Sequence, residues 1–307
     1  MLKFTPVFFL TLLTFAGCGK PAPQTNINTP DITRWAQPDV DIAKLLSVEP
    51  NECLKPVTRA VDIQDIALGR MAFRSPFLLG GQATRKGLTC QACHTQGVRN
   101  ENFFITGLSE APGTADVSNF HFSDELGDEI FNPTPIPSLS DDIRNVDYDP
   151  KKTDFEDFVT RLITKEFTGK NPSPEIKTAL LKYLRQLDNS QCSVQILTGP
   201  DLLDYKVKVI GQSFDVLAQN NFTRASQNFL AAALRIELGR LDTRFPNVEP
   251  VQSALADISQ SLNTRGGDIL PENITQAADK WAKLSADIPQ FYDQSLFNPL
   301  TIKLWAQ

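Results

Sequence analysis

The chain of 307 residues is poor in the side chains that most often build metal and redox sites: it has two histidines, two methionines and five cysteines. A structural zinc site takes four ligands. The cysteines outside one short cluster are scattered, so their spacing does not describe a zinc module. An excess of positive charge is also missing. Lys and Arg number 30 against 36 Asp and Glu, a net charge of −6, which argues against a nucleic-acid partner. Beyond the extreme N-terminus no stretch approaches the ~20 apolar residues that a membrane helix requires. No convincing repeat of roughly 34 residues is visible, which weighs against a helical-repeat platform in residues 196–307.

What is present is organised around Cys90, Gln91, Ala92, Cys93 and His94. This C-x-x-C-H spacing is that of a c-type haem attachment site. The two sulfurs add to the porphyrin vinyl groups, and the next residue carries its imidazole to the iron as proximal ligand. The expected cofactor is one covalent haem c, held by Cys90, Cys93 and His94. Half of a zinc site and a thioredoxin-like dithiol are the competing readings, but the dithiol motif wants a βαβ context that the chain does not supply.

The iron's other face has few candidates. His121 is the only other histidine, and Met71 the only methionine besides Met1. His121 stands between Phe120 and Phe122 in an irregular segment and is the favoured sixth ligand. Met71 lies on the apolar face of a helix, where a core methionine is the ordinary explanation. An open or water-bound face is the third possibility. Arg70, Arg74, Arg85 and Arg99 flank the motif, as partners for haem propionates or as solvated charges.

Residues 1–17 read as a secretory signal: Lys3, an apolar stretch over 4–15, then Ala16 and Gly17 before Cys18. The layout resembles a bacterial lipoprotein signal, which makes Cys18 the lipidated first residue of the mature chain. Phe15 departs from that pattern, which prefers Leu there. Gly19 after the cysteine implies the outer membrane, with the protein on its periplasmic side. Residues 18–38, rich in Pro, Asn, Thr and Gln, suit a flexible tether between lipid and globule. The lipid would be the membrane contact. Cys53 and Cys192 then remain. An oxidising compartment favours a disulfide between them, with two separate buried thiols as the alternative.

The expected fold is mainly α. Residues 39–195 form a helical c-type cytochrome domain with long haem-wrapping loops, and residues 196–307 a helical bundle. Helical spacing marks 40–48, 60–73 and 155–167. Ser173, Pro174 and Glu175 are an N-cap, an N1 proline and a first-turn acid. Between 95 and about 150 the chain is irregular. Pro133, Pro135 and Pro137 exclude helix and disfavour a central strand. So long a loop is expected to be functional, and here Phe103, Phe104, Ile105, Leu108, Val117, Phe120 and Phe122 would wrap the porphyrin. Beyond 196, apolar residues at helical steps mark 203–217, 230–245, 251–262 and 274–288, an antiparallel four-helix pattern.

Several segments together resemble the haem domain of the di-haem cytochrome c peroxidase family. They are Ala67-Leu68-Gly69-Arg70-Met71-Ala72-Phe73, the C-x-x-C-H itself, Asn102-Phe103-Phe104-Ile105-Thr106-Gly107-Leu108, Pro135-Ile136-Pro137-Ser138-Leu139 and the run from Ser173 to Leu184. The resemblance covers residues 60–190. That family carries two haem domains, the second relaying electrons to the peroxidatic haem, whereas this chain has a single motif. Three functions remain open. One is electron transfer with a redox partner protein. Another is reduction of hydrogen peroxide, which needs an acid–base group over an open iron, with Glu110, Asp116, Glu125 and Glu129 in the right segment. The third is a haem-based sensor or assembly subunit working through residues 196–307.

Overall fold

The structure, a computed structural model, describes residues 30–119, 122, 127–140, 155–219, 221–264 and 266–307. It is mainly helical, with eleven α-helices and little sheet among the described residues. The first half holds α1 (Ile42–Ser47), β1 (Val48–Pro50), α2 (Ala60–Arg74), α3 (Gly81–Lys86), α4 (Cys90–Cys93), β2 (Thr114–Ala115), β3 (Thr134–Pro135), α5 (Phe155–Arg161) and α6 (Pro174–Gln186). The second half holds β4 (Ile196–Thr198), α7 (Gly199–Ala218), α8 (Arg224–Asp242), α9 (Glu249–Ser261), α10 (Pro271–Asp287) and α11 (Pro299–Trp305).

Local chemistry explains most of these boundaries. The Asp41 carboxylate accepts from the Lys44 N–H at 3.1 Å and starts α1. Ser173 Oγ accepts from the Ile176 N–H at 3.3 Å, with Pro174 at the first helical position of α6. Two elements differ from the sequence expectation. Gly80 and Gly81 suggest a turn, yet Gly81 opens α3 with a φ of +51°. The helical pattern of 274–288 also does not end the fold: a 3-10 stretch, Ile288–Gln294, leads into α11.

α2 is the central element. Its C-terminal two turns are buried all round, from Ile66 to Arg74. It packs along α6 and also against α7 and α8. Those two continue into a ring in which α7 meets α8, α8 meets α9, α9 meets α10 and α10 returns to α7. The expected boundary at 195/196 falls at β4, but the apolar core does not stop there. One continuous cluster runs from Leu68 and Phe73 through Leu180 and Tyr183 to Phe214, Leu234 and Trp281.

The α2–α6 contact depends on a missing side chain. A Cβ on Gly69 would stand 2.2 Å from the Ala179 carbonyl oxygen and 2.6 Å from Tyr183 Cβ. Backbone cannot yield as a flexible side chain can, so Gly69→Ala is expected to lower stability by about 1–3 kcal/mol. Urea unfolding followed by circular dichroism measures it, and an unchanged midpoint would show that the helices separate freely.

The first half is tied off at its ends. β1 pairs antiparallel with β4, Val48 opposite Thr198 and Pro50 opposite Ile196. Leu54 bridges to Leu187. Between these pairings Cys53 and Cys192 are joined by a disulfide, their Cα atoms 5.5 Å apart and 139 residues apart in sequence. A loop of that length gives the cross-link a stabilisation on the order of 4–5 kcal/mol in the chain-entropy account.

Candidate functional site

Cys90, Cys93 and His94 are placed by a short turn with strong local reasons. Gly87 closes α3 in the left-handed region (φ +75°), where glycine carries no Cβ penalty. Buried Leu88 then anchors the chain. Thr89 Oγ1 accepts from the Ala92 N–H at 3.2 Å and caps α4. The His94 N–H donates to the Cys90 carbonyl at 2.8 Å. Asn100 Nδ2 donates to the Ala92 carbonyl at 2.8 Å, holding the following loop against the turn.

Cys93 packs on a second apolar cluster, separate from the main core, that includes Leu88, Phe103, Leu108, Phe122 and Ile136. Cys90 packs against the main core. Burial pushes the Cys90 thiol up to about 12. It pushes the Cys93 thiol up as well, with neighbouring Cys90 adding to the effect. Both are therefore thiols rather than thiolates near neutral pH. A reactive dithiol needs the opposite shift, so the arrangement disfavours the redox-dithiol reading. Among the described residues no group of three or more His, Cys, Asp and Glu is placed to hold a metal ion.

His94 is set for one tautomer. Its Nδ1 lies 3.0 Å from the Pro137 carbonyl oxygen. A carbonyl only accepts, so Nδ1 carries the hydrogen and Nε2 keeps its lone pair. Burial lowers the imidazole to about 4, against the opposing pull of the Pro137 bond. The ring is thus neutral at physiological pH, which is the ligating form. A backbone carbonyl behind the ring is the usual device for orienting an imidazole toward a metal. With two thiols on the same turn and an apolar cluster beside them, these residues suit a haem c chemically.

The long segment after the motif is irregular but internally bonded. The Phe104 N–H donates to the Trp35 carbonyl at 2.8 Å, Gly113 N–H to Phe103 at 2.9 Å and Ile136 N–H to Gly113 at 2.9 Å. The Leu139 N–H reaches the Gly97 carbonyl at 2.9 Å, and β2 pairs with β3. Phe103, Leu108 and Phe122 are buried in the second cluster with Ile105 packed against it, Phe104 is half-buried and Val117 is exposed.

The remaining candidates separate. Met71 is buried in the main core with Ile66 and Leu180, not in the cluster below Cys93. His121, Cys18, Phe120 and Glu125 lie outside the described residues. Glu110 and Glu129 are exposed, whereas Asp116 is buried. Arg85 and Arg99 are exposed. Arg70 and Arg74 are not solvated: both side chains are buried. Arg70 forms a buried pair with Glu52 (2.6 Å) and donates to Gln212 Oε1 (2.8 Å). Arg74 donates to Gln96 Oε1 (2.5 Å) and to the Tyr205 hydroxyl (2.8 Å). Their partners come from distant parts of the chain, which sequence flanking does not reveal.

Two functional candidates escape the sequence reading. Gln96, held in the left-handed region (φ 55°) just past the histidine, joins the motif to the second half. Its Oε1 also accepts from Tyr205 (2.9 Å), and its Nε2 reaches Glu49 (3.3 Å). A non-glycine residue at positive φ is held there by its surroundings. Glu166 is pushed up to about 7, by burial and then by the charge of Asp116. Each of the two has a carboxylate oxygen buried without a partner, Asp116 Oδ2 and Glu166 Oε1.

In comparisons with protein-family models, characterised proteins and solved structures, nothing matches this chain.

Proposed function

We propose that the chain is a lipid-anchored mono-haem c-type cytochrome that transfers electrons on the periplasmic side of the bacterial outer membrane. The observation that carries the reading is the His94 Nδ1 bond to Pro137, which leaves Nε2 available beside two thiols. A bound haem c supplies a one-electron iron couple. Cys90 and Cys93 tether it and His94 ligates its iron. The Pro137 carbonyl fixes the imidazole plane. The apolar cluster around Phe103 and Leu108 keeps water away and so tunes the potential. His121 is the proposed sixth ligand and a redox protein the proposed partner.

The purified protein should contain one haem per chain by pyridine haemochrome assay, and its ferric optical spectrum should be six-coordinate and low-spin. An electron carrier gains from constant coordination, because ligand loss adds reorganisation to each transfer. His121→Ala should turn that spectrum high-spin while the thioethers retain the haem. A wild-type high-spin spectrum with turnover of hydrogen peroxide would replace the carrier reading with the peroxidase one.

Asp116 and Glu166 favour that second reading. Glu166 precedes Phe167 and Asp116 follows Ala115, and both of these neighbours pack in the cluster beside Cys93. A carboxyl near 7 suits a general acid–base group. Under a peroxidase, Glu166→Gln should cut peroxide turnover by about 10²-fold or more. The anchor has its own test: Cys18→Ser should move the protein from the membrane fraction to the soluble one or leave its signal uncleaved. Unchanged fractionation and processing would refute lipidation.

A further inference from the structure

A pocket of about 120 Å³ lies between the motif turn and the second half. Thr89, Gln91, Ala92 and Thr95 line it, while Cys90, Cys93 and His94 do not. It is thus separate from the thiol and imidazole groups assigned above. Its wall carries four cationic side chains, Arg74, Lys206, Arg240 and Arg244, against two carboxylates, Glu49 and Glu237. This is an unusual concentration of positive charge in an acidic protein.

The pairing around the pocket leaves two guanidiniums in surplus. Lys206 Nζ is 2.5 Å from Glu49 Oε2. Arg240 is hydrogen-bonded to Glu237. Arg74 stands only at 3.7 Å from that same Glu237, and its close acceptors, Gln96 and Tyr205, are neutral. Arg244 donates to the Leu46 carbonyl and lies 4.4 Å from the Phe297 ring centre, with no carboxylate partner among the described residues. Both arginines are more than nine-tenths buried, at 3% and 6% exposure. Each has a buried N–H without an acceptor, Arg74 Nε and Arg244 Nη1. Two cations out of water with incomplete compensation, Arg74 by a long pair to a shared carboxylate and Arg244 with no carboxylate in contact, are costly. A small anion that accepts several charge-assisted hydrogen bonds would offset that cost.

We infer that this pocket is a binding site for a small oxyanion, a carboxylate or phosphate group, held by Arg74 and Arg244. The ligand would sit against Gln91 and Thr95, next to the turn that carries Cys93 and His94. It would therefore report on the second half to the motif through Gln96.

Isothermal titration calorimetry on the full mature protein, purified as it is produced, tests this with inorganic phosphate in one arm and acetate in the other. One saturable site per chain for either ion is the expected result, and the arm that binds identifies the group. Arg244→Gln should weaken it by about tenfold or more, the loss of one charge-assisted bond. Because that variant disturbs a buried residue, Ile32→Trp, which fills the half-buried apolar part of the lining and leaves every charge in place, should abolish binding with an unchanged circular dichroism spectrum. No saturable heat from either ion up to on the order of 10 mM, or undiminished binding in the folded Ile32→Trp protein, would overturn the site.

Discussion

Replacing Cys90 and Cys93 together by alanine is expected to abolish covalently bound haem, so that denaturing electrophoresis with haem staining loses its band entirely. The argument is chemical. Each thioether needs one sulfur, and Cys53 and Cys192, the other described cysteines, are joined to each other. His94 alone can only coordinate, and coordination does not survive denaturation. Single replacements should leave one thioether and a weaker band. A double variant that retains full staining would sink the central proposal. The chain itself should still fold, because both cysteines are half-buried and sit at the margins of the two apolar clusters rather than inside them.

Arg70→Ala is expected to produce the largest loss of stability, about 3–5 kcal/mol, because it strands a buried carboxylate. Burial alone would raise the Glu52 pKa, but the charge and hydrogen bonds of Arg70, helped by the Tyr183 hydroxyl at 2.8 Å, lower it overall. The folded value lies below the ordinary one. The stability it contributes is therefore complete above the usual carboxylate range and is lost as pH falls through the folded value. In Arg70→Ala the sign reverses: burial wins, Glu52 prefers its proton, and acid relieves the defect. The gap between wild type and variant, measured by urea unfolding at several pH values, should be widest near neutrality and shrink toward pH 4. A gap independent of pH would mean that the lost contribution is packing rather than charge. Adding Glu52→Gln to the variant should recover part of the loss.

The legible parts of this protein are those whose reasons are local. α2 and α6 follow from apolar spacing and from the Ser173-Pro174-Glu175 start. The four helices of the second half follow from their steps of three and four. α3 is hidden because Gly80 and Gly81 carry a turn signal and the helix is short. α11 is hidden because Leu300 and Leu304 are exposed, so its pattern lacks a clear buried face. At the site, the motif names Cys90, Cys93 and His94, and nothing in the spacing announces Pro137 as the acceptor behind the imidazole. Arg70 and Arg74 look like surface charges next to a cofactor motif. Their burial depends on Glu52, Gln96, Tyr205 and Gln212, residues that only the folded chain brings together. The charge of Asp116 likewise acts on Glu166 although the two are far apart in sequence.

The central position of α2 also imposes an order on assembly. The helix is synthesised early, but the surfaces that cover it on two sides, α7 and α8, are synthesised long after the thiols. Until they arrive, one flank of α2 stays in water and the charged wall formed by Arg74, Tyr205 and Glu237 does not exist. The half that arrives last is therefore the latch on the charged wall, and the turn that carries Cys90 and Cys93 is made long before that latch closes.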